Sequence, residues 1–234
     1  MNCINKFYVD YKNHKIIGDL IGNKNHKNIF FLHGAGHSNR KRFEPLRELF
    51  YKNGFSSCAF DFIGHGETGG LLSESSLFER TKQVCTVIDY MKNDEPLTII
   101  AASMSGYTAV KLLESYNVDN IILFVPAAYD KDAYMLPFNH KFTDCIRKDR
   151  SYKNSDAWQI LNEFTGNLII IKAENDTVIP DEVINDYYES AFNAKTRKII
   201  TIKNSPHGVL NYLSEHEEQL KNTVDEIIKI INVK

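Results

Sequence analysis

The feature that most limits what this chain can fold into is a series of short, continuous apolar runs separated by amphipathic stretches. The runs are Ile16–Ile21, Ile29–Leu32, Ser57–Phe60, Leu97–Ala101, Ile121–Val125, Leu168–Lys172 and Lys198–Ile202. A strand with one wet face alternates in polarity; a continuous apolar run expects cover on both faces, as in the centre of a parallel sheet. Between the runs lie helix-like segments at Phe43–Tyr51, Leu77–Met91, Tyr107–Ser115, Asp181–Ala191 and Leu213–Val233. Val84, Ile88 and Met91 recur at helical spacing, and Pro180 ahead of Asp181 and Glu182 marks a helix start. Strand and helix repeated this often predict an α/β fold: a doubly wound, mostly parallel sheet of about eight strands. Phe7–Val9 and Ile16–Ile21 have no helix between them and read as a hairpin antiparallel to the rest.

The 234 residues suffice for one such domain, 1–234, and an apolar fraction of 43% supplies its core. One interval, 128–166, breaks the rhythm: it holds no clear strand yet is rich in apolar residues. It is expected to be a cap or lid insertion, with Tyr129, Tyr134, Met135, Leu136, Phe138 and Trp158 offered to a substrate. Lys plus Arg number 28 against 30 Asp plus Glu, without the concentrated basic face that nucleic-acid binding needs. The amino terminus lacks a signal-peptide profile and no run is long enough to span a bilayer, so a soluble, cytoplasmic protein is expected. Cys3, Cys58, Cys85 and Cys145 are far apart and form no CxxC pair, so no metal site is expected. Cys58 and Cys85 suit buried, reduced thiols.

The chemistry concentrates at three places. In Leu97-Thr-Ile-Ile-Ala-Ala-Ser-Met-Ser-Gly-Tyr107 an apolar strand runs straight into Ser103 and a helix follows at once. A serine nucleophile on so sharp a turn needs small residues two before and two after it, here Ala101 and Ser105. Ser105 is the rival nucleophile, but Tyr107 is too bulky for its own flank. In Ile29-Phe-Phe-Leu-His-Gly-Ala-Gly36 a strand ends at a turn whose N–H could meet a developing oxyanion, so Ala35 and Met104 are assigned as the donors. Near the carboxyl end, Asp176 and His207 each follow a predicted strand. His207 supplies a base for Ser103, and Asp176 a carboxylate to orient it; Glu174 is the alternative acid. Gly64, Gly66 and Gly69 spell G-x-G-x-x-G, but no helix opens at them and no strand follows before Leu97, so no dinucleotide or other cofactor is expected. His33, His37 and His65 are read as loop-ordering residues, and His216 as a surface residue of the last helix.

With these residues in place, the chain resembles the α/β-hydrolase superfamily from about Lys15 to Val233. His33-Gly34-Ala35-Gly36, Asp61-Phe62-Ile63-Gly64-His65-Gly66 and Ser103-Met104 are similar to the monoacylglycerol lipase and lysophospholipase branch. The resemblance implies the chain order Ser103, Asp176, His207 for the triad and Ala35 with Met104 for the oxyanion hole. Ala101 and Ser105 depart from that branch's glycines, as does Ala173 ahead of the acid. The expected activity is hydrolysis of a small-molecule carboxylic ester or thioester. The same residues could serve C–C, amide or acyl-transfer chemistry, or remain on a binding module that has lost turnover; oligomeric state is not read.

Overall fold

The protein is described by a computed structural model covering residues 4–22, 28–92 and 96–232; Cys3 and His26 lie outside the described residues. The strands are β1 (Ile4–Tyr11), β2 (His14–Ile21), β3 (Ile29–Leu32), β4 (Ser57–Phe60), β5 (Leu97–Ala102), β6 (Val118–Phe124), β7 (Asn167–Asn175) and β8 (Thr196–Pro206). They form one sheet in the order β1-β2-β4-β3-β5-β6-β7-β8. Strands from β4 through β8 pair in parallel, while β2 is antiparallel to both β1 and β4. The expected hairpin exists, but β2 alone runs against the sheet; β1 reverses back into the common direction.

The continuous apolar runs have the anticipated cause. Within β5, Ile99 and Ala101 enter one core and Ile100 and Ala102 the other, so alternate side chains fill both sides. Helix α1 (Glu44–Lys52) and helix α8 (Glu217–Ile231) cover one face through Leu46, Phe50, Val224 and Ile227. Helix α2 (Leu77–Met91) and helix α3 (Ser105–Leu112) cover the other through Val84, Val87, Ile88, Val110 and Leu112. Each such fully buried Ile, Leu or Phe contributes about 1.5–3 kcal/mol.

Two helix boundaries differ from expectation. α3 begins at Ser105 rather than Tyr107, because the turn at Ser103 feeds straight into it. The last segment is two helices, α7 (Val209–Glu215) and α8, broken at His216. There His216 leaves helical geometry, its Nδ1 reaches the Tyr212 carbonyl at 2.7 Å and its ring stacks on Tyr212 at 3.8 Å. A local side-chain bond thus competes with the helical ladder.

Between β6 and β7 lie only helical turns, helix α4 (His140–Ile146) and helix α5 (Ala157–Asn162). This segment is fastened down: Phe78 N donates to Tyr134 O at 2.9 Å, Phe138 N to Ser75 O at 2.9 Å and Tyr107 Oη to Asp156 at 2.6 Å. On its far side Tyr152 donates to Glu182 of helix α6 (Asp181–Ser190) at 2.6 Å.

One buried ionic cluster holds the antiparallel end of the sheet to the first crossover. Arg40 donates from Nε to Asp19 at 2.6 Å, from Nη2 to Glu67 at 2.8 Å, and from Nη1 to Asp61. Arg47, also buried, donates to Asp19 and to the Ser57 hydroxyl and carbonyl, each of the latter at 3.0 Å. The Arg40 and Lys6 bonds hold the Glu67 carboxyl down to about 2. Of the G-x-G-x-x-G glycines, Gly66 borders this cluster. A Cβ on Gly66 (φ 48°) would lie 2.2 Å from an Asp61 carboxylate oxygen, so the loop closes on that carboxylate. Asp19→Ala strips Arg47 of its carboxylate and leaves a buried cation uncompensated. The expected loss is about 3–5 kcal/mol, read from the urea unfolding midpoint.

Candidate active site

Strand register assembles the candidate site. Leu32 of β3 pairs with Ala101 of β5, which brings the His33–Gly34 turn against Ser103. An added Cβ on Gly34 would sit 3.2 Å from that of Ser103, so the approach is as close as a small residue permits. Asn175 of β7 pairs with Pro206 of β8, so Asp176 and His207 leave neighbouring strand ends together.

Ser103 has φ 50°, the left-handed region that costs an L residue about 1–3 kcal/mol and turns its side chain out of the sheet. Its Oγ lies 3.2 Å from His207 Nε2, and His207 Nδ1 lies 2.8 Å from Asp176 Oδ2. The other Asp176 oxygen accepts from the N–H groups of Val178 and Ile179 at 2.8 and 3.0 Å, which anchors the carboxylate. With Nδ1 donating to Asp176, Nε2 is left as the acceptor facing the serine. The N–H groups of Ala35 and Met104 donate to no acceptor among the described residues. A cavity of about 110 Å³ opens here, lined by Gly34, Ala35, Ser103, Val125 and His207, with Arg42 on its wall.

The rivals have other partners. Ser105 is fully buried and donates to the His33 carbonyl at 2.6 Å while accepting from Arg80 Nη2 at 2.9 Å. Glu174 accepts from Asn204 N at 2.8 Å, away from His207. Buried His33 accepts from Phe62 N at 3.1 Å through Nε2 and meets the Gly34 carbonyl through Nδ1 at 2.8 Å, which orders the turn. Burial and the nearby Arg80 charge hold the imidazoles of His33 and His65 below their ordinary value.

The six residues of 128–166 expected at the substrate site are not among those lining this cavity. Tyr129 and Tyr134 pack on Tyr107 at 5.8 and 6.0 Å, Phe138 on Phe142 at 4.8 Å and Trp158 on Tyr187 at 5.1 Å. Leu136 joins the same core, while Met135 is 62% exposed. Tyr129, Tyr134 and Trp158 thereby dock the segment onto α2, α3 and α6. Arg42 and Arg80 were not anticipated; nothing in sequence distinguishes them from the other cations of the chain.

Residues 23–150, more than half of the chain and including Ser103, match the family described as serine aminopeptidase, S33. The chain belongs to this α/β-hydrolase family. The hydrolase is 27% identical over 227 residues to a Mycoplasma pneumoniae protein named as an esterase/lipase, covering 88% of this chain and 80% of that one. Its fold is that of Est1E of Butyrivibrio proteoclasticus, solved with ferulic acid: TM-score 0.74, 18% identity, 96% of this chain and 99% of that one. The thioesterase domain of the curacin biosynthetic pathway is also similar, with TM-score 0.72, 12% identity, 95% of this chain and all of that one. Among the described residues no helix is long and apolar enough to cross a membrane.

Acid should loosen this hydrolase through His33. Folded, that imidazole stays neutral well below 6.5, whereas the unfolded chain takes up a proton there. Stability therefore falls as pH drops below about 6.5, at up to about 1.4 kcal/mol per pH unit for each such histidine. Urea midpoints between pH 8 and 5 should show this slope, and His33→Gln should flatten it.

Proposed function

We propose that this hydrolase cleaves a carboxylic ester or thioester through an acyl-enzyme on Ser103, with His207 as base and Asp176 as its orienting carboxylate. The reading is carried by the relay from Ser103 Oγ through His207 to Asp176, at 3.2 and 2.8 Å, starting from a serine at φ 50°. Serine at its free pKa is a poor nucleophile, so His207 Nε2 accepts its proton as Oγ attacks the carbonyl. The imidazolium that forms keeps its Nδ1–H on Asp176, which stabilises the charge without taking the proton. The negative charge developing on the carbonyl oxygen meets the N–H groups of Ala35 and Met104, which have no other acceptor among the described residues. His207 then protonates the leaving group, and a water deprotonated by the same nitrogen releases the acid.

In this reading residues 1–234 are one domain and 128–166 a cap that borders the substrate route without supplying the walls at Ser103. The narrow cavity favours a short acyl group. The thiols of Cys85 and Cys145 suit a reducing compartment, in keeping with a cytoplasmic enzyme.

A p-nitrophenyl ester series from acetate to octanoate tests the proposal. Turnover should be highest for short chains, fall to background in Ser103→Ala, and drop roughly ten-thousandfold in kcat for Asp176→Asn, which misorients the imidazole. A fluorophosphonate should add its mass to Ser103. Full turnover in Ser103→Ala would contradict the assignment.

A further inference from the structure

Arg40, Arg42 and Arg47 lie close together in the chain, yet their charges are handled differently. Arg40 and Arg47 are buried and satisfied by Asp19, Asp61 and Glu67. Arg42 has no carboxylate partner among the described residues, and it lines the cavity that contains Ser103 and His207. Its guanidinium is held by neutral acceptors only: Nη2 donates to the His37 carbonyl at 3.1 Å and Nη1 to Asn211 Oδ1 of α7 at 3.4 Å. These contacts pin the fork between the loop at His37 and α7 and leave other N–H donors uncommitted. Apart from titratable His207, every other residue lining the cavity is neutral. The cavity therefore presents one permanent positive charge and no negative one.

We infer that Arg42 is a specificity-determining residue, selecting esters or thioesters that carry a carboxylate a few atoms from the scissile carbonyl. The inference rests on the hydrolase reading above and names the substrate class of that site. A planar guanidinium offers a carboxylate two parallel hydrogen bonds, and a half-buried cation held in place beside the cavity attracts it more strongly than one free in open water. The carboxylate can belong to the acyl part or to the leaving alcohol; the two place it on opposite sides of the carbonyl and are separable by experiment.

The test compares wild type, Arg42→Gln and Arg42→Lys on three substrates: 4-nitrophenyl butyrate, mono-4-nitrophenyl succinate and 4-carboxyphenyl butyrate. The readout is the ratio of kcat/KM for each acidic ester over the neutral one. At low salt, Arg42→Gln should lower that ratio roughly three- to tenfold for one acidic ester. Arg42→Lys should restore part of it, and raising the salt should shrink the wild-type preference. Ratios unchanged by Arg42→Gln for both acidic esters would overturn the inference. A second measurement needs no turnover: calorimetric binding of succinamate and butyramide to Ser103→Ala, with and without Arg42→Gln. Tighter succinamate binding that disappears with Arg42→Gln upholds the role of the cation even if no ester is cleaved and the hydrolase reading fails. Equal binding with and without Arg42 overturns it.

Discussion

A serine backbone held at φ 50° at the end of a buried strand is a local cost, and the surroundings of Ser103 are arranged to offset it. Its N–H donates to Phe124 O at 2.9 Å, and its carbonyl accepts from Gly106 N at 2.8 Å and Ala127 N at 3.0 Å. The end of β6 thus clamps the turn from the side. Val125 in turn sits at φ 43°, held by its N–H on Ile171 O at 2.8 Å. Two left-handed residues on adjacent strand ends border one cavity, and each is pinned by the next strand along. Gly106 is required by the same closeness: a Cβ there would lie 2.6 Å from that of Pro126.

The turn after β3 is tied down from beneath rather than from solvent. Buried Arg80 donates from Nη2 to the His33 carbonyl at 2.6 Å and to Ser105 Oγ at 2.9 Å, so one nitrogen links the Ala35 turn to the helix that follows Ser103. Its guanidinium lies 3.7 Å from the centre of the Phe62 ring, and Phe62 N donates to His33. A cation held by carbonyl dipoles and a ring face is less well compensated than one on a carboxylate. Burial first, and the Arg80 charge beside it, hold the imidazoles of His33 and His65 below their ordinary value.

Much of this was legible before any coordinates. Ser103 stands out because an apolar strand, a small-residue turn and a helix start follow without a gap, and Asp176 and His207 because each comes directly after a strand. Asp176 ranked ahead of Glu174 because Glu174 comes directly after the strand residues, too early in the turn, but only the fold shows where each carboxylate goes. Both reach β8 or the loop after it: Glu174 accepts from Asn204 N, and Asp176 meets His207. For the hydrophobic residues of 128–166, apolarity reports burial, not what does the burying: Tyr107 and Tyr187 pack on Tyr129, Tyr134 and Trp158. His216 lay inside a helical pattern whose interruption is a contact between its own ring and Tyr212.

Local order along the chain determined the kind of fold, a sheet covered on both faces, because continuous apolar runs leave a strand no wet side. It also determined which of the two serines at the end of β5 stands at the turn, since Ser103 has small residues on both flanks and Ser105 has Tyr107 on one. Tertiary structure decided what depends on distances between remote segments. It set the pairing of Asn175 with Pro206 that joins Asp176 to His207, the pairing of Arg40 and Arg47 with acids, and the placement of Arg42 at the cavity. Ion pairs and hydrogen bonds form across hundreds of possible partners, and composition and spacing carry no record of which ones the folded sheet brings together.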